Sequence, residues 1–243
     1  MLLKLLGSRA AAAIANSKAT AAALSRTVGL DEEAVHVVGN FIDFARFAPM
    51  LYGRDRAREL LGIASDRMVV GFVGRLDECK GIDLLIEAAG ILSREDERYY
   101  FAIVGEGSQR GRLESMVQQL GLSERVTFTG LCEKSEEIMP AFDVAVIPSR
   151  REAFGIAAVE FMRMKIPVVA SAAGGLVELV RHDKTGMLLD ELSAAGIARA
   201  VGRVVGDDSL RERLTEEAEV FSRQFDGQEQ LKVICDIYDE LCS

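Results

Sequence analysis

Two carboxylates eight positions apart, Glu152 and Glu160, bracket the run "AFGIAAV" deep inside the chain. The stretch before them, "AVIPS", reads as the end of a buried strand, and "IPVVAS" after them reads as another. A glutamate two turns into a helix beside a strand end needs hydrogen-bond donors. Sugar hydroxyls supply them, whereas a phosphate would repel the charge. The opposite charge is found in "VGRLDECKG", where Arg75 and Lys80 stand between a strand end and a helix start. Two cations beside free helix N–H groups suit a diphosphate. Simpler roles stay open: Arg75 and Lys80 as surface charges, Glu152 paired with Arg150 or Arg151, Glu160 paired with Arg163 or Lys165. In "VGEGSQRGRL" the glycines Gly105 and Gly107 invite a dinucleotide reading. An NAD site would want an acid at the end of the next strand, and that strand ends "TFTG". These glycines therefore serve a tight turn or a close backbone approach. Gly174-Gly175 opens one more helix at a strand end, with Glu178 in its first turn.

The elements that must position these residues alternate. Strands are predicted over 67–74, 99–105, 125–130, 143–149, 167–171 and 186–190. Helices are predicted over 81–95, with Ile82, Leu85, Ile86, Ala89 and Leu92 on one face, and over 108–122. Near-continuous apolar strands alternating with helices imply a doubly wound, Rossmann-like parallel α/β sheet. Ligands of such sheets bind at the carboxyl ends of the strands. Three helices with no strand between them follow at 192–207, 208–225 and 228–242. Before the main sheet, strand–helix–strand elements are expected over 11–16, 17–29 and 34–39, preceded by a short helix over 2–8.

With 243 residues and 49% apolar content the chain can bury a full core. A net charge of −9, with no long basic stripe, argues against a nucleic-acid partner. Cys79, Cys132, Cys235 and Cys242 form no Cys-x-x-Cys pair, and only His36 and His182 are present, so free thiols are expected rather than a zinc site. The apolar run at the start is broken by Lys4 and Arg9, and no stretch reaches the ~20 apolar residues needed to span a bilayer.

The motifs "VGN-FID" (38–43), "GFVGRLDECKGIDLLIEA" (71–88), "AIVGEGSQRGRLE" (102–114), "RVTFTG" (125–130), "PSRREAFGIAAVEFM" (148–162) and "PVVASAAGGLVELVRHDKTGMLL" (167–189) follow one another in order. Together they resemble the donor-binding C-terminal half of family-4 retaining glycosyltransferases, which have the two-domain GT-B fold. The resemblance covers nearly the whole chain. It implies transfer of a hexose-type sugar from a nucleoside-diphosphate sugar with retention of configuration and no obligatory metal. A UDP-sugar is the first expectation, with GDP- or ADP-sugars as alternatives. It implies that Arg75 and Lys80 neutralise the diphosphate, that Glu160 binds the ribose hydroxyls and that Glu152 contacts the transferred sugar. The backbone of Phe154, Gly155 and Ile156 supports sugar and phosphate, Leu131 lies against the nucleobase, and Gly74, Gly105 and Gly107 leave room for the donor. The chain departs from the family pattern at Gly39-Asn40-Phe41, Arg150, Arg151, Ala153, Lys165 and Val177.

The resemblance divides the chain into residues 1–30, a remnant of the acceptor domain; 31–225, the donor domain; and 226–243, a crossover helix. Expected partners are the donor, a glycan or lipid-linked acceptor, and a separate acceptor-domain chain or a second copy. The chain is expected to be a donor domain rather than a self-sufficient transferase: a cut piece, a shortened reading frame or one subunit of a split enzyme. Polysaccharide or glycolipid assembly in the cytoplasm, at the inner face of the membrane, follows from the same resemblance. The competing expectations are a nucleotide-sugar-binding subunit without turnover and a nucleotide-dependent oxidoreductase or epimerase on a related sheet.

Overall fold

The computed structural model describes residues 10, 12–49 and 51–242. The short helix expected over 2–8 lies outside the described residues. Among the described residues there are two sheets, both parallel. The small one pairs β1 (Ala13–Ala15) with β2 (Val35–Val37), joined through helix α1 (Lys18–Val28). Ser17 caps α1 by accepting from the Thr20 N–H, and Gly29 closes it at φ 80°.

The large sheet contains β3 (Met68–Val73), β4 (Tyr99–Val104), β5 (Val126–Gly130), β6 (Val144–Ile147), β7 (Val168–Ala170) and β8 (Met187–Leu188), in the order β5-β4-β3-β6-β7-β8. Each of these strands falls inside its predicted window. The helices about them are α2 (Arg54–Leu61), α3 (Ile82–Glu95), α4 (Arg110–Gln119), α5 (Ser135–Ile138), α6 (Ile156–Arg163), α7 (Leu176–Leu179), α8 (Ala194–Gly206), α9 (Asp208–Ser222) and α10 (Gly227–Cys242). Helices α2 and α5 are additions to the sequence reading.

Alternation along each strand divides the core into two layers. Val69, Ala102, Ala145 and Val168 pack with Ala158, Phe161 and Met162 of α6 on one face. Val70, Phe101, Val144 and Val169 pack with Leu85 and Ile86 of α3 and Ile197 and Val201 of α8 on the other. The strands are apolar on both faces because both faces are covered. Gly71, in the middle of β3, is required for another reason: a Cβ there would lie 2.0 Å from the Phe142 ring.

The chain order reverses between β3 and β6, which are neighbours in register Val70↔Val144 and Gly71↔Ala145. At such a switch point the loops leaving two adjacent strands turn to opposite faces and open a crevice between them. Lys165, where the family pattern has Gly, adopts φ 56°, the left-handed region that glycine occupies without strain. The four cysteines are free, as expected. No helix among the described residues is long and apolar enough to cross a membrane.

Candidate functional site

The loops after β3 and β6 meet over the switch point. The Arg150 N–H donates to the Cys79 carbonyl at 2.7 Å, and a Cβ on Gly81 would lie 2.0 Å from the Pro148 carbonyl oxygen. This contact brings together two predicted site residues from distant parts of the chain. Lys80 Nζ lies 2.7 Å from Glu152 Oε2, with side chains 20% and 12% exposed. The Ser149 hydroxyl donates to the same carboxylate oxygen at 3.3 Å. Glu152 thus pairs with neither Arg150 nor Arg151. Arg150 is engaged by Asp83 at 2.8 and 2.9 Å, which holds that carboxyl below its usual range.

Arg75 sits at the same strand end but reaches solvent. Its guanidinium is 76% exposed and lies 3.2 Å from Asp77. Gly74 and Gly105 touch: a Cβ on Gly105, at φ 134°, would lie 1.9 Å from the Gly74 carbonyl oxygen. A Cβ on Gly107 would meet the backbone of Leu76 at 2.5 Å. These glycines let the loops after β3 and β4 lie directly on one another, with Leu76 N–H donating to the Glu106 carbonyl at 2.8 Å. Leu131, one residue past β5, is 76% exposed at the same sheet edge.

Gly155 is the N-cap of helix α6, with φ 98° and no side chain to cap it, so the first N–H groups of α6 stay available. The Phe154 side chain is buried edge-on against Phe225 at 5.7 Å, leaving only the backbone of its loop at the surface. Ile156 is half-buried and follows directly. Glu160 lies one turn further along. Its carboxyl has no hydrogen bond or ion pair with the described residues. Arg163, a candidate partner, is taken by Glu219 at 2.5 Å. Burial pushes Glu160 up to about 7, opposed by the Arg46 charge and reinforced by Glu136. A half-buried carboxyl without a donor is an acceptor in want of a ligand.

The loop carrying Glu152 is held from two sides. The Gly175 N–H donates to the Glu152 carbonyl at 3.1 Å. The Ser17 hydroxyl donates to the Ala153 carbonyl at 2.6 Å. Glu178 accepts from the Lys18 and Ala19 N–H groups at 3.0 and 3.1 Å, so it caps α1. A cleft of about 650 Å³ separates this loop from the small sheet and is lined by Asn16, Thr20, Gly39, Ala153 and Ile156, among others. A second, of about 480 Å³, is lined by Cys79, Arg151, Glu152 and Gly174.

Arg46, Glu136, Ser149 and the Glu178–α1 clasp escape sequence reasoning. Ser149 ends the predicted strand and was open to recognition. The others depend on contacts across 90 or more residues, for which the local pattern carries no signal.

Residues 53–221 match the family model for glycosyl transferases group 1. A D-inositol 3-phosphate glycosyltransferase of Thermomonospora curvata is 34% identical over 216 residues, covering 83% of this chain and 50% of that protein. The Anabaena protein Alr3699/HepE, solved in complex with UDP and glucose, superimposes with a TM-score of 0.91 at 27% identity, over 98% of this chain and 66% of that one. The C-terminal domain of a glycosyl transferase group 1 protein from Francisella tularensis superimposes with a TM-score of 0.67 at 28% identity, over 75% of this chain and 97% of that one. The chain spans about half the length of the curated relatives it matches. It belongs to the glycosyl transferases group 1 family and carries the C-terminal domain of its GT-B fold.

Proposed function

We propose that the chain binds the donor of a retaining glycosyl transfer, a nucleoside diphosphate hexose, with UDP as the nucleotide. The observation that carries this reading is the pairing of Lys80 with Glu152 at the switch point, on the same sheet edge as the unpartnered Glu160. In this reading Glu160 accepts from the two ribose hydroxyls. Lys80 and the exposed Arg75 neutralise the diphosphate, assisted by the open N–H groups of α6. Glu152 accepts from a hydroxyl of the transferred hexose, and Leu131 covers one face of the base. The UDP in the Anabaena neighbour supports the choice of nucleotide.

As the bond from the anomeric carbon to the phosphate oxygen breaks, negative charge grows on the leaving diphosphate. Lys80 and Arg75 face that charge, so they stabilise the transition state more than the ground state. Retention follows if the acceptor attacks from the face the diphosphate leaves, with a phosphate oxygen taking the acceptor's proton. The acceptor, a glycan or lipid-linked saccharide, and an acceptor-binding partner belong to the activity of the whole protein and form part of the same proposal. Residues 1–30, 31–225 and 226–243 then serve as acceptor-side segment, donor domain and crossover helix.

The test is calorimetric titration of the chain with UDP, GDP, ADP and NAD. UDP should bind and NAD should not. Glu160→Ala should weaken UDP by about 10- to 100-fold, the worth of hydrogen bonds to a charged acceptor. Unchanged UDP affinity in Glu160→Ala would sink the assignment of the ribose.

A further inference from the structure

The loop that carries Glu152, residues 148–155, belongs to no helix or strand, so its shape is set by what it touches. Two of its carbonyls bind different neighbours. The Glu152 carbonyl accepts from the Gly175 N–H at 3.1 Å. The Ala153 carbonyl accepts from the Ser17 hydroxyl at 2.6 Å, with the Thr20 hydroxyl 3.3 Å from the same oxygen. The approach requires Gly174 and Gly175: Cβ atoms there would lie 1.9 Å from the Glu152 carbonyl oxygen and 2.5 Å from the Ala153 carbonyl oxygen. The third side of this triangle joins the two neighbours to each other. The Glu178 carboxylate of α7 accepts from the Lys18 and Ala19 N–H groups at 3.0 and 3.1 Å, one on each oxygen. It thereby satisfies two first-turn donors for which α1 has no partner of its own, and Ser17 accepts from the next, the Thr20 N–H, at 3.0 Å. Ser17 is only 2% exposed, so water has little access to compete for its bonds.

We infer that Ser17 and Glu178 are positioning residues of the hexose subsite: through the triangle of loop, α7 and α1 they set where Glu152 meets the transferred sugar. The inference rests on the reading of Glu152 as the hexose acceptor. The two anchored carbonyls lie on either side of Ala153, directly after the Cα that carries the Glu152 side chain. The Lys80 ammonium, 2.7 Å from the Glu152 carboxylate, sits on a flexible stem and follows the loop rather than fixing it. The nucleotide contacts stand on other supports. Helix α6, which carries Glu160 and the open N–H groups, is fixed by its buried face of Ala158, Val159, Phe161 and Met162. Binding constellations work only when held to within about 0.5 Å. Loosening the triangle therefore displaces the sugar contact and leaves the nucleotide contacts in place. The helix of the small sheet thus serves the donor hexose as well as its own sheet.

The test is calorimetric titration of the full chain and its variants with UDP-glucose and with UDP, read as the ratio of the two affinities. Ser17→Ala and Glu178→Gln should each lower the preference for UDP-glucose by about threefold to tenfold, while UDP affinity stays within about twofold of the parent. Glu178→Gln keeps the side-chain volume and one acceptor oxygen, so it decides alone if Ser17→Ala does not fold. Glu152→Gln, titrated beside them, should lower the same ratio, because the hexose then meets an amide in place of a carboxylate. A ratio lowered in Glu152→Gln but unchanged in Ser17→Ala and Glu178→Gln overturns the positioning role and leaves the hexose reading standing. Equal weakening of UDP and UDP-glucose in those two variants does the same, since it would mark them as supports of the fold alone. An unchanged ratio in Glu152→Gln, or no binding of UDP-glucose to the unaltered chain, overturns the hexose reading and this inference with it.

Discussion

Replacing Glu152 by Gln should tighten the binding of UDP while impairing the use of any UDP-sugar. The magnitude follows from the geometry about Lys80. Its ammonium already donates to Glu152 at 2.7 Å. A phosphate oxygen accepting from the same nitrogen at a second tetrahedral position would sit about 4.5 Å from the Glu152 oxygen, given ordinary charge-assisted lengths. Two negative charges at that distance repel by about 1–4 kcal/mol, from the dielectric of bulk water down to that of a protein surface. Glu152→Gln removes this repulsion and keeps an oxygen that accepts from Lys80. UDP affinity should therefore rise at least roughly fivefold. The free chain should lose about 1 kcal/mol of stability, because a charged acceptor becomes a neutral one. Calorimetry with UDP and a thermal melt on the same sample read both effects. Weaker UDP binding in Glu152→Gln would refute the reasoning, because it would mean that Glu152 and the diphosphate do not share Lys80.

Gly105→Ala should destabilise the chain by more than about 3 kcal/mol in a denaturant titration, because its Cβ would lie 1.9 Å from a backbone oxygen at φ 134°. A melt indistinguishable from the parent would show that the loops after β3 and β4 can separate freely. Glu160 should also make the free chain less stable as pH rises. Its carboxyl is raised from 4.5 to about 7 in the folded chain, so between those values the folded state holds the proton that the unfolded state has lost. Stability therefore falls as pH climbs from about 4.5 to about 7, by at most about 3 kcal/mol, and Glu160→Gln should be the more stable protein at pH 8. Equal melting temperatures for the two at pH 8 would contradict this.

The regular part of the fold was legible because it is written locally. Strands such as "MVVGFV" and "VAVI" are apolar without a break, and α3 repeats its apolar positions at helical spacing, so both announce themselves within ten residues. Helix α2 did not, since its sequence "RDRARELL" is mostly charged and owes its place to tertiary contacts. Arg58 of α2, nearly buried, reaches Asp143 at 3.0 Å, and Asp143 also accepts from the Val69 N–H at 2.7 Å. The site was legible as a set of residues on one sheet edge but not as a set of pairs. Lys80 and Glu152 are 72 residues apart, and only the reversal of strand order between β3 and β6 makes them neighbours. Glu178 stands in the first turn of its own short helix, yet its carboxylate holds the first turn of α1, 160 residues away. Arg46 lies in an irregular turn, where neither periodicity nor charge patterning tells which acid it faces.

The central claim is that one nucleotide sugar lies along the carboxyl edge of the large sheet, from Glu160 past Lys80 to Glu152. A crystal structure of the chain with UDP-glucose tests it directly. The account predicts the ribose hydroxyls on the Glu160 carboxylate, the diphosphate on Lys80 and Arg75 near the start of α6, and the glucose beside Glu152. Nucleotide density in the cleft beside Asn16 and Gly39, with Glu160 left unpartnered, would contradict it.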